Sequence, residues 1–184
     1  CCAREADDVE ALVEEIEDEG GTVTGVRADV RDEYDVERLL GTAVRVGGEI
    51  DIVVACAGVY HGTPGETPID DEPYAAYDDH LRTNARGVFA TLREAAPHLT
   101  RDARVLVPTG RVARDGTPGI GSYAVSKAAA EAIARGFAAD LEQTVGCVDP
   151  GQVSTGLSGD DGRDPSAVAP MFRWAAVDAP AEDI

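Results

Sequence analysis

A Tyr and a Lys stand four residues apart in the segment from Tyr123 to Lys127. On a helix this spacing brings both side chains to one face, with about 5–6 Å between their Cβ atoms. A free Tyr titrates near pH 10 and each pKa unit is worth ~1.4 kcal/mol, so proton transfer near pH 7 requires roughly 4 kcal/mol of phenolate stabilisation. A close ammonium can supply much of it. The pair predicts an acid–base catalyst, with a chance match of a short pattern as the alternative.

Two further observations support the catalytic interpretation. Lys127 is the only Lys and Asn84 the only Asn in the chain, so each is expected to perform a task that Arg or Asp cannot. Residues 119–122 are typical of a loop that ends in an N-cap at Ser122, which predicts Tyr123 in the first turn of a helix. The positive end of that helix would also favour a phenolate.

The overall charge excludes some partners. The 184 residues carry a net charge of −19, and a field of this sign repels nucleic-acid phosphates. The longest apolar run, residues 52–60, is too short to cross a bilayer, so no membrane association is expected. The acidic excess, with Arg in place of Lys, favours a surface adapted to high salt over an ordinary acidic cytosolic protein.

The Cys and His residues do not predict a reactive centre. No Cys spacing is typical of a metal site, and three of the four Cys lie in or beside apolar strand-like runs, which favours buried thiols in a reducing cytoplasm. A Ser hydrolase is excluded because no G-x-S-x-G motif is present. The three His are therefore expected to be loop and helix-surface residues: His61, His80 and His98.

Apolar periodicity predicts strands alternating with helices. Helices are expected at residues 5–20, 74–99, 122–142 and 165–177, and another is expected to carry apolar residues of 36–44 on one face and to stop at Gly47-Gly48. A strand is expected to end at residues 1–3, and further strands are expected at residues 22–30, 50–56, 103–108 and 144–148. The continuous apolar run 50–56 is typical of a parallel strand buried on both faces. This order predicts βαβ units with right-handed crossovers in one α/β domain spanning residues 1–184.

Five segments, in this order and spacing, resemble the short-chain dehydrogenase/reductase family. They are Asp29-Val30, Ala57-Gly58, Asn84, Tyr123-x-x-x-Lys127 and Pro150-Gly151-Gln152-Val153-Ser154-Thr155. The resemblance implies a Rossmann-type doubly wound parallel sheet that binds a nicotinamide dinucleotide across the carboxyl ends of its strands. It also implies hydride transfer between that cofactor and a small carbonyl or alcohol substrate, and a homo-oligomer (dimer or tetramer).

The family's roles are carried over position by position. Tyr123 would be the general acid in ketone reduction and the base in alcohol oxidation. Lys127 would depress the pKa of Tyr123 and hold the nicotinamide ribose, and Asn84 would fix a water that passes protons to solvent. The remaining implied cofactor contacts are Asp29 and Val30 beside the adenine, Ala57 and Gly58 under the cofactor, and Pro150, Gly151, Val153 and Thr155 beside the carboxamide.

The form of the cofactor is read at the end of the second Rossmann strand. An acidic residue there binds a ribose 2′-hydroxyl, whereas Arg accommodates a 2′-phosphate. This site is Ala3-Arg4, so NADP is expected. NAD is the alternative if Arg4 pairs with Glu5 or Asp8 on the surface.

The chain departs from the family pattern in three places. The Gly-rich pyrophosphate turn is absent, so the chain is interpreted as a fragment that lacks the first and last strands of the sheet. The substrate-orienting Ser is replaced by Gly110, and Thr109 would supply a hydroxyl only if the strand end were bulged. The Asn before Ala-Gly is replaced by Cys56, which removes hydrogen bonds between strands.

Two functions therefore stay open. The first is an NADP-dependent oxidoreductase acting on a carbonyl/alcohol pair. The second is a degenerate Rossmann module that binds a nucleotide or a partner subunit without turnover. Loss of the Ser at Gly110 favours the second, whereas retention of the only Lys and the only Asn at catalytic positions favours the first.

Overall fold

The computed structural model describes residues 1–184 as parallel strands alternating with helices. The strands are β1 (Cys2–Ala3), β2 (Val26–Arg27), β3 (Ile50–Val54), β4 (Leu99–Pro108) and β5 (Thr144–Val148). The helices are α1 (Ala6–Asp18), α2 (Glu33–Gly47), α3 (Tyr74–His80), α4 (Gly87–Ala95), α5 (Ser122–Asp140) and α6 (Pro165–Val177). A π-helix (Leu81–Arg86) joins α3 to α4, and 3₁₀ turns lie at Ala96–His98, Arg111–Ala113 and Ala181–Asp183.

The strands form two parallel sheets. β1 pairs with β2, and β3, β4 and β5 form a three-stranded sheet with β4 at its centre. The α/β prediction of parallel strands joined by helical crossovers is confirmed. No ladder joins β1 to β3. The interpretation that a further strand belongs between them stays a prediction.

Helices cover both faces of β4. Val105 and Val107 belong to the main core, together with residues of α2, α4 and α5, and Leu106 points to the other face and packs against Ala175 of α6. These three strand residues are at most 1% exposed. The alternation of side chains along a strand explains the two layers of helices, as in a doubly wound fold.

Two strand predictions need correction. Of residues 22–30 only Val26–Arg27 form a strand, since only these two residues pair with β1, at Cys2 and Ala3. β3 is not buried on both faces, since Ile52 and Val54 are each 43% exposed. The face that carries them is not covered by α6, which packs on β4.

The long helix predicted at residues 74–99 is not one continuous helix. It changes to a π-helix at Leu81, returns to an α-helix at Gly87, and ends in a 3₁₀ turn after which Leu99 begins β4.

The expectation of buried thiols is also wrong for Cys1 and Cys56, which are exposed, and all four thiols are free. No helix has the length and apolar character required to span a membrane.

The loop before α5 depends on Gly119, and its substitution provides a test of the fold. Gly119 has a positive φ of 72°, its carbonyl accepts hydrogen bonds from the amides of Gly65 and Thr67, and a Cβ would lie 2.2 Å from the Gly65 carbonyl oxygen. Gly119→Ala should lower the free energy of unfolding by about 2 kcal/mol or more. Gly116→Ala, where a Cβ meets no atom within 4 Å, is the matched control for denaturant titration. Equal stabilities of the two variants would contradict the structure of this loop.

Candidate active site at the start of α5

Tyr123 and Lys127 lie one turn apart at the start of α5, beside the carboxyl end of β4. The Nζ atom of Lys127 lies 5.8 Å from the centroid of the Tyr123 ring and donates a hydrogen bond to the Pro108 carbonyl oxygen at 2.8 Å. The predicted position of Tyr123 in the first helical turn is confirmed, although Ser122 is the first helical residue and the N-cap is Gly121. The ammonium therefore faces the phenol ring while bonded to the sheet.

The pKa values of this pair reflect burial. Burial raises the pKa of Tyr123 to about 12, with Tyr60 adding to the shift. Burial likewise lowers the pKa of Lys127. The direction for Tyr123 is opposite to the predicted depression by Lys127. The chain alone thus holds the phenol in its protonated, proton-donating form at neutral pH.

Asn84 lies in the π-helix and connects three parts of the site. Its Oδ1 accepts from the amide of Val59 at 2.7 Å, and its Nδ2 donates to the Val59 carbonyl at 2.9 Å and to Oγ of Ser126 at 2.9 Å. Gly58 lies beside this contact, since a Cβ there would be 3.4 Å from Oδ1 of Asn84, an ordinary van der Waals distance. The structure therefore brings Asn84 to the helix that carries Tyr123 and Lys127. Short π segments of this kind are frequent at functional sites.

Thr109 does not reach Tyr123. Its hydroxyl donates to Oε1 of Glu131 at 2.8 Å, two helical turns beyond Tyr123. The register of β4 with β5 is unbroken through Pro108 and continues with a bond from the Thr109 amide to the Val148 carbonyl. No bulge turns the side chain, so the assignment of Thr109 as a substitute for the missing Ser is corrected.

Five of the predicted cofactor residues line one cleft of about 250 Å³. The cleft lies where the carboxyl ends of β1, β2 and β3 meet, the edge at which a parallel sheet of this type binds nucleotides. The five residues are Arg4, Asp29, Val30, Ala57 and Gly58. Arg4 also contacts Glu5 through its Nε at 3.2 Å, which is the surface pairing under which NAD is the alternative cofactor. An exposed pair of this kind has a low energetic value, so Arg4 can exchange Glu5 for a 2′-phosphate.

Charged groups along this cleft form a chain of ion pairs. Arg31 contacts Asp29 at 2.7 Å and Asp79 at 2.8 Å, and Asp79 also contacts Nε2 of His61 at 2.8 Å. Hydrogen bonds from Arg31 hold the pKa of Asp29 below its ordinary value. The Asp29 carboxylate is thereby fixed at the wall of the cleft.

Four further predicted cofactor residues lie in the loop after β5, outside this cleft. The Thr155 hydroxyl contacts Oγ of Ser158 at 2.9 Å, and Arg163 donates to the Pro150 carbonyl oxygen. Gly151 has a φ of 69°, which turns the chain away from the strand. Val153 pairs with Arg163 in an isolated parallel bridge.

Sequence reasoning missed a polar cluster beneath Tyr123. His80 is fully buried, which corrects its interpretation as a surface residue, and it contacts Ser122 and Glu72. The ring of Tyr60 packs edge-on against Tyr123 at a centroid distance of 5.0 Å. The only local signal for this cluster was the position of His80, one helical turn before Asn84 on the same face.

Comparison with known proteins identifies relatives of this chain. A family model described as enoyl-(acyl carrier protein) reductase matches residues 1–179. The chain is 32% identical over 150 residues to hydroxynaphthalene reductase-like protein Arp2 of Metarhizium robertsii, which covers 79% of this chain and 55% of the relative. It is 35% identical over 136 residues to NADPH-dependent aldehyde reductase 2, chloroplastic, of Arabidopsis thaliana, which covers 71% of this chain and 49% of the relative.

The fold is also that of solved structures. A dehydrogenase/reductase from Sinorhizobium meliloti 1021 superimposes with a TM-score of 0.85 at 30% identity, covering 95% of this chain and 76% of that one. The chain spans about half the length of the two curated relatives, 55% and 49%. The described residues therefore correspond to a large part of one such domain.

Acidification is expected to destabilise the protein through His80. Burial lowers the pKa of His80, a shift to which His61 adds and which Glu72 and Asp79 oppose. The unfolded chain, with a His pKa of about 6.5, therefore binds more protons than the folded chain as the pH falls through that value. This contribution to stability is present above the unfolded pKa and is lost as the pH falls through the folded pKa.

The free energy of unfolding, measured by urea titration between pH 7 and 5, should therefore decrease toward pH 5. His80→Asn should flatten that decrease, whereas His98→Asn, at the end of α4, should leave it unchanged. The carboxylates Asp29 and Asp79, whose pKa values are lowered, lose their contribution only below about pH 4. Equal slopes for the wild type and His80→Asn would refute the role given to this buried imidazole.

Proposed function

Because this chain belongs to the short-chain dehydrogenase/reductase family, we propose that it is an oxidoreductase that transfers a hydride between NADP(H) and a carbonyl/alcohol substrate. Tyr123 is the general acid in reduction and the general base in oxidation. The observation that carries the proposal is the placement of the only Lys ammonium 5.8 Å from the Tyr123 ring, beside the only Asn of the chain.

The chemistry assigned to Tyr123 follows from its surroundings. The nicotinamide, when bound, supplies the hydride that is added to the substrate carbon. The Tyr123 hydroxyl makes no hydrogen bond within the chain, and its pKa of about 12 keeps the proton in place until a carbonyl oxygen accepts it. Lys127 uses one N–H for Pro108, which leaves two donors for the phenolate that remains and for the ribose of the cofactor.

The residues of the cleft fit the adenosine end of the cofactor. Asp29 and Val30 border the adenine, and the backbone at Ala57 and Gly58 permits close approach. Arg4 lies at the same cleft, where a guanidinium can bind a 2′-phosphate. The Arabidopsis relative is named as an NADPH-dependent reductase, which supports the same cofactor. In the loop after β5, Pro150, Gly151, Val153 and Thr155 are assigned to the carboxamide end.

We also infer the setting in which the protein works. A cytoplasmic location, a dimeric or tetrameric assembly and a small-molecule substrate are expected of the family. The net charge of −19 with a single Lys is consistent with a salt-rich environment, because salt screens repulsion between carboxylates.

The decisive variant is Tyr123→Phe in the full-length gene product. Removal of the phenolic proton should lower the rate of NADPH-dependent carbonyl reduction by about 10²–10⁴-fold, the range for general acid–base catalysis. The dissociation constant for NADPH, measured by fluorescence, should stay within about twofold. Tyr74→Phe is the control, because that side chain is 90% exposed. Unchanged turnover in Tyr123→Phe over a panel of aldehydes and ketones would refute the mechanism, and NADPH binding without any wild-type turnover would favour the non-catalytic module.

Preference for the phosphorylated cofactor is tested at Arg4. Arg4→Ala should raise KM for NADPH about tenfold, roughly 1.4 kcal/mol, while KM for NADH changes little, because only NADPH carries the 2′-phosphate. Arg101→Ala, on β4 and exposed, controls for the loss of one positive charge. A wild-type KM lower for NADH than for NADPH would contradict the assignment.

A further inference from the structure

A buried carboxylate and a buried imidazole lie directly beneath the first turn of α5. The Glu72 side chain is 3% exposed and that of His80 is 0% exposed, and Ser122 is also fully buried. These residues come from three separate segments: the loop before α3, the end of α3 and the start of α5. Ionisable groups are buried only when specific partners compensate for lost hydration, so the cluster requires a structural or functional reason.

The contacts within the cluster converge on Ser122. Oε2 of Glu72 accepts the Ser122 amide at 2.7 Å, Nδ1 of His80 lies 2.8 Å from Oγ of Ser122, and Oε1 of Glu72 lies 3.2 Å from the same Nδ1. Nε2 of His80 accepts the amide of His61 at 2.9 Å. Nδ1 therefore carries the proton of the neutral ring and is hydrogen-bonded to the Ser122 hydroxyl, whereas the nearby Oε1 of Glu72 is buried without a hydrogen-bond partner.

This arrangement is not a hydrolytic triad. Nε2 of His80 is occupied by a backbone amide, and both the carboxylate and the hydroxyl contact the same nitrogen, Nδ1. In a catalytic triad the two ring nitrogens contact different partners. The Ser122 hydroxyl is also fully buried, so no substrate reaches it.

Glu72 instead serves as an N-cap supplied from outside the helix. The N-cap position of α5 is Gly121, which has no side chain to accept the first free amides. A carboxylate at the start of a helix satisfies one of those amides and also interacts favourably with the helix dipole. This cap is a tertiary contact, because Glu72 is separated from Ser122 by fifty residues.

The next residue after Ser122 is Tyr123, and the same cluster surrounds its ring. The His80 ring lies 6.0 Å from the Tyr123 ring, and Tyr60 stacks on His80 at 5.9 Å while meeting Tyr123 edge-on at 5.0 Å. The Tyr60 hydroxyl is buried without a hydrogen-bond partner. The Tyr123 ring therefore contacts Tyr60 and His80, two residues that pack within the same cluster as Glu72.

We propose that Glu72 and His80 are positioning residues for Tyr123, fixing the first turn of α5 through Ser122 so that the phenol is presented to the substrate oxygen. The inference rests on the proposed function of Tyr123. Misplacement of a reacting group by about 1 Å can cost about 10²-fold in rate without loss of binding. Loss of the pair should therefore lower kcat and leave cofactor affinity intact.

The test compares Glu72→Ala, Glu72→Gln and Asp71→Ala in the full-length protein. Gln keeps an oxygen that accepts the Ser122 amide, and Asp71 is an exposed carboxylate one residue away. Glu72→Ala should lower kcat at least tenfold, with the NADPH dissociation constant and the substrate KM within twofold of wild type. Glu72→Gln should recover most of kcat, and Asp71→Ala should resemble wild type.

Hydrogen exchange gives a readout that does not depend on turnover. The amides of Ser122 and Tyr123 should exchange at least tenfold faster in Glu72→Ala than in Asp71→Ala, while amides of β4 keep their protection. Unchanged exchange and unchanged kcat in Glu72→Ala would overturn the proposal, as would failure of Glu72→Gln to restore either one. If Glu72→Ala does not fold, the proposal would be overturned by a His80→Asn variant whose amide exchange rates and kcat equal those of the wild type. Should Tyr123→Phe prove fully active, the proposed function fails while the exchange data still decide whether the pair positions this turn.

Discussion

A buried ammonium group has to be hydrogen-bonded, and this requirement at Lys127 ties the candidate site to the fold. Its Nζ donates to the carbonyl of Pro108, the last residue of β4. The bond joins the second turn of α5 to the most buried strand of the protein. Tyr123 lies one turn earlier on the same helix. A shift of this helix away from the sheet edge would separate the Lys127 ammonium from the Pro108 carbonyl. The phenol therefore takes its rigidity from the core around β4.

Burial acts on the two reactive groups in the same chemical sense, since it favours the neutral form of each. It raises the pKa of Tyr123 and lowers that of Lys127. The cleft that adjoins them is different, because Arg31 keeps the carboxylates of Asp29 and Asp79 charged. The site thus has two parts. The cleft at Asp29 and Arg31 is polar and ion-paired, which suits a nucleotide, and the region around Tyr123 and Lys127 is less hydrated, which suits proton transfer.

The fold was predictable where one local period decided the structure. The helix α6 begins and ends at the predicted residues, and α2 ends at its predicted Gly stop, because local capping and stop signals flank a regular apolar stripe. Prediction failed at the long helix, where the π-helix around Asn84 depends on bonds to Val59 and Ser126 that no local pattern encodes. It also failed for β3, because exposure of Ile52 depends on which strands α6 covers.

The sequence by itself determined which residues are proposed for the chemistry: Tyr123 with the only Lys at helical spacing, and the only Asn, in an acidic α/β chain. Residue type and helical period are local properties, so they could be read without coordinates. Only the tertiary structure decided where the neighbouring polar groups point. It turned the Thr109 hydroxyl to Glu131 and enclosed Glu72 with His80 under α5. Such contacts join residues far apart in the chain, and their energies depend on burial, which exists only once the chain has folded.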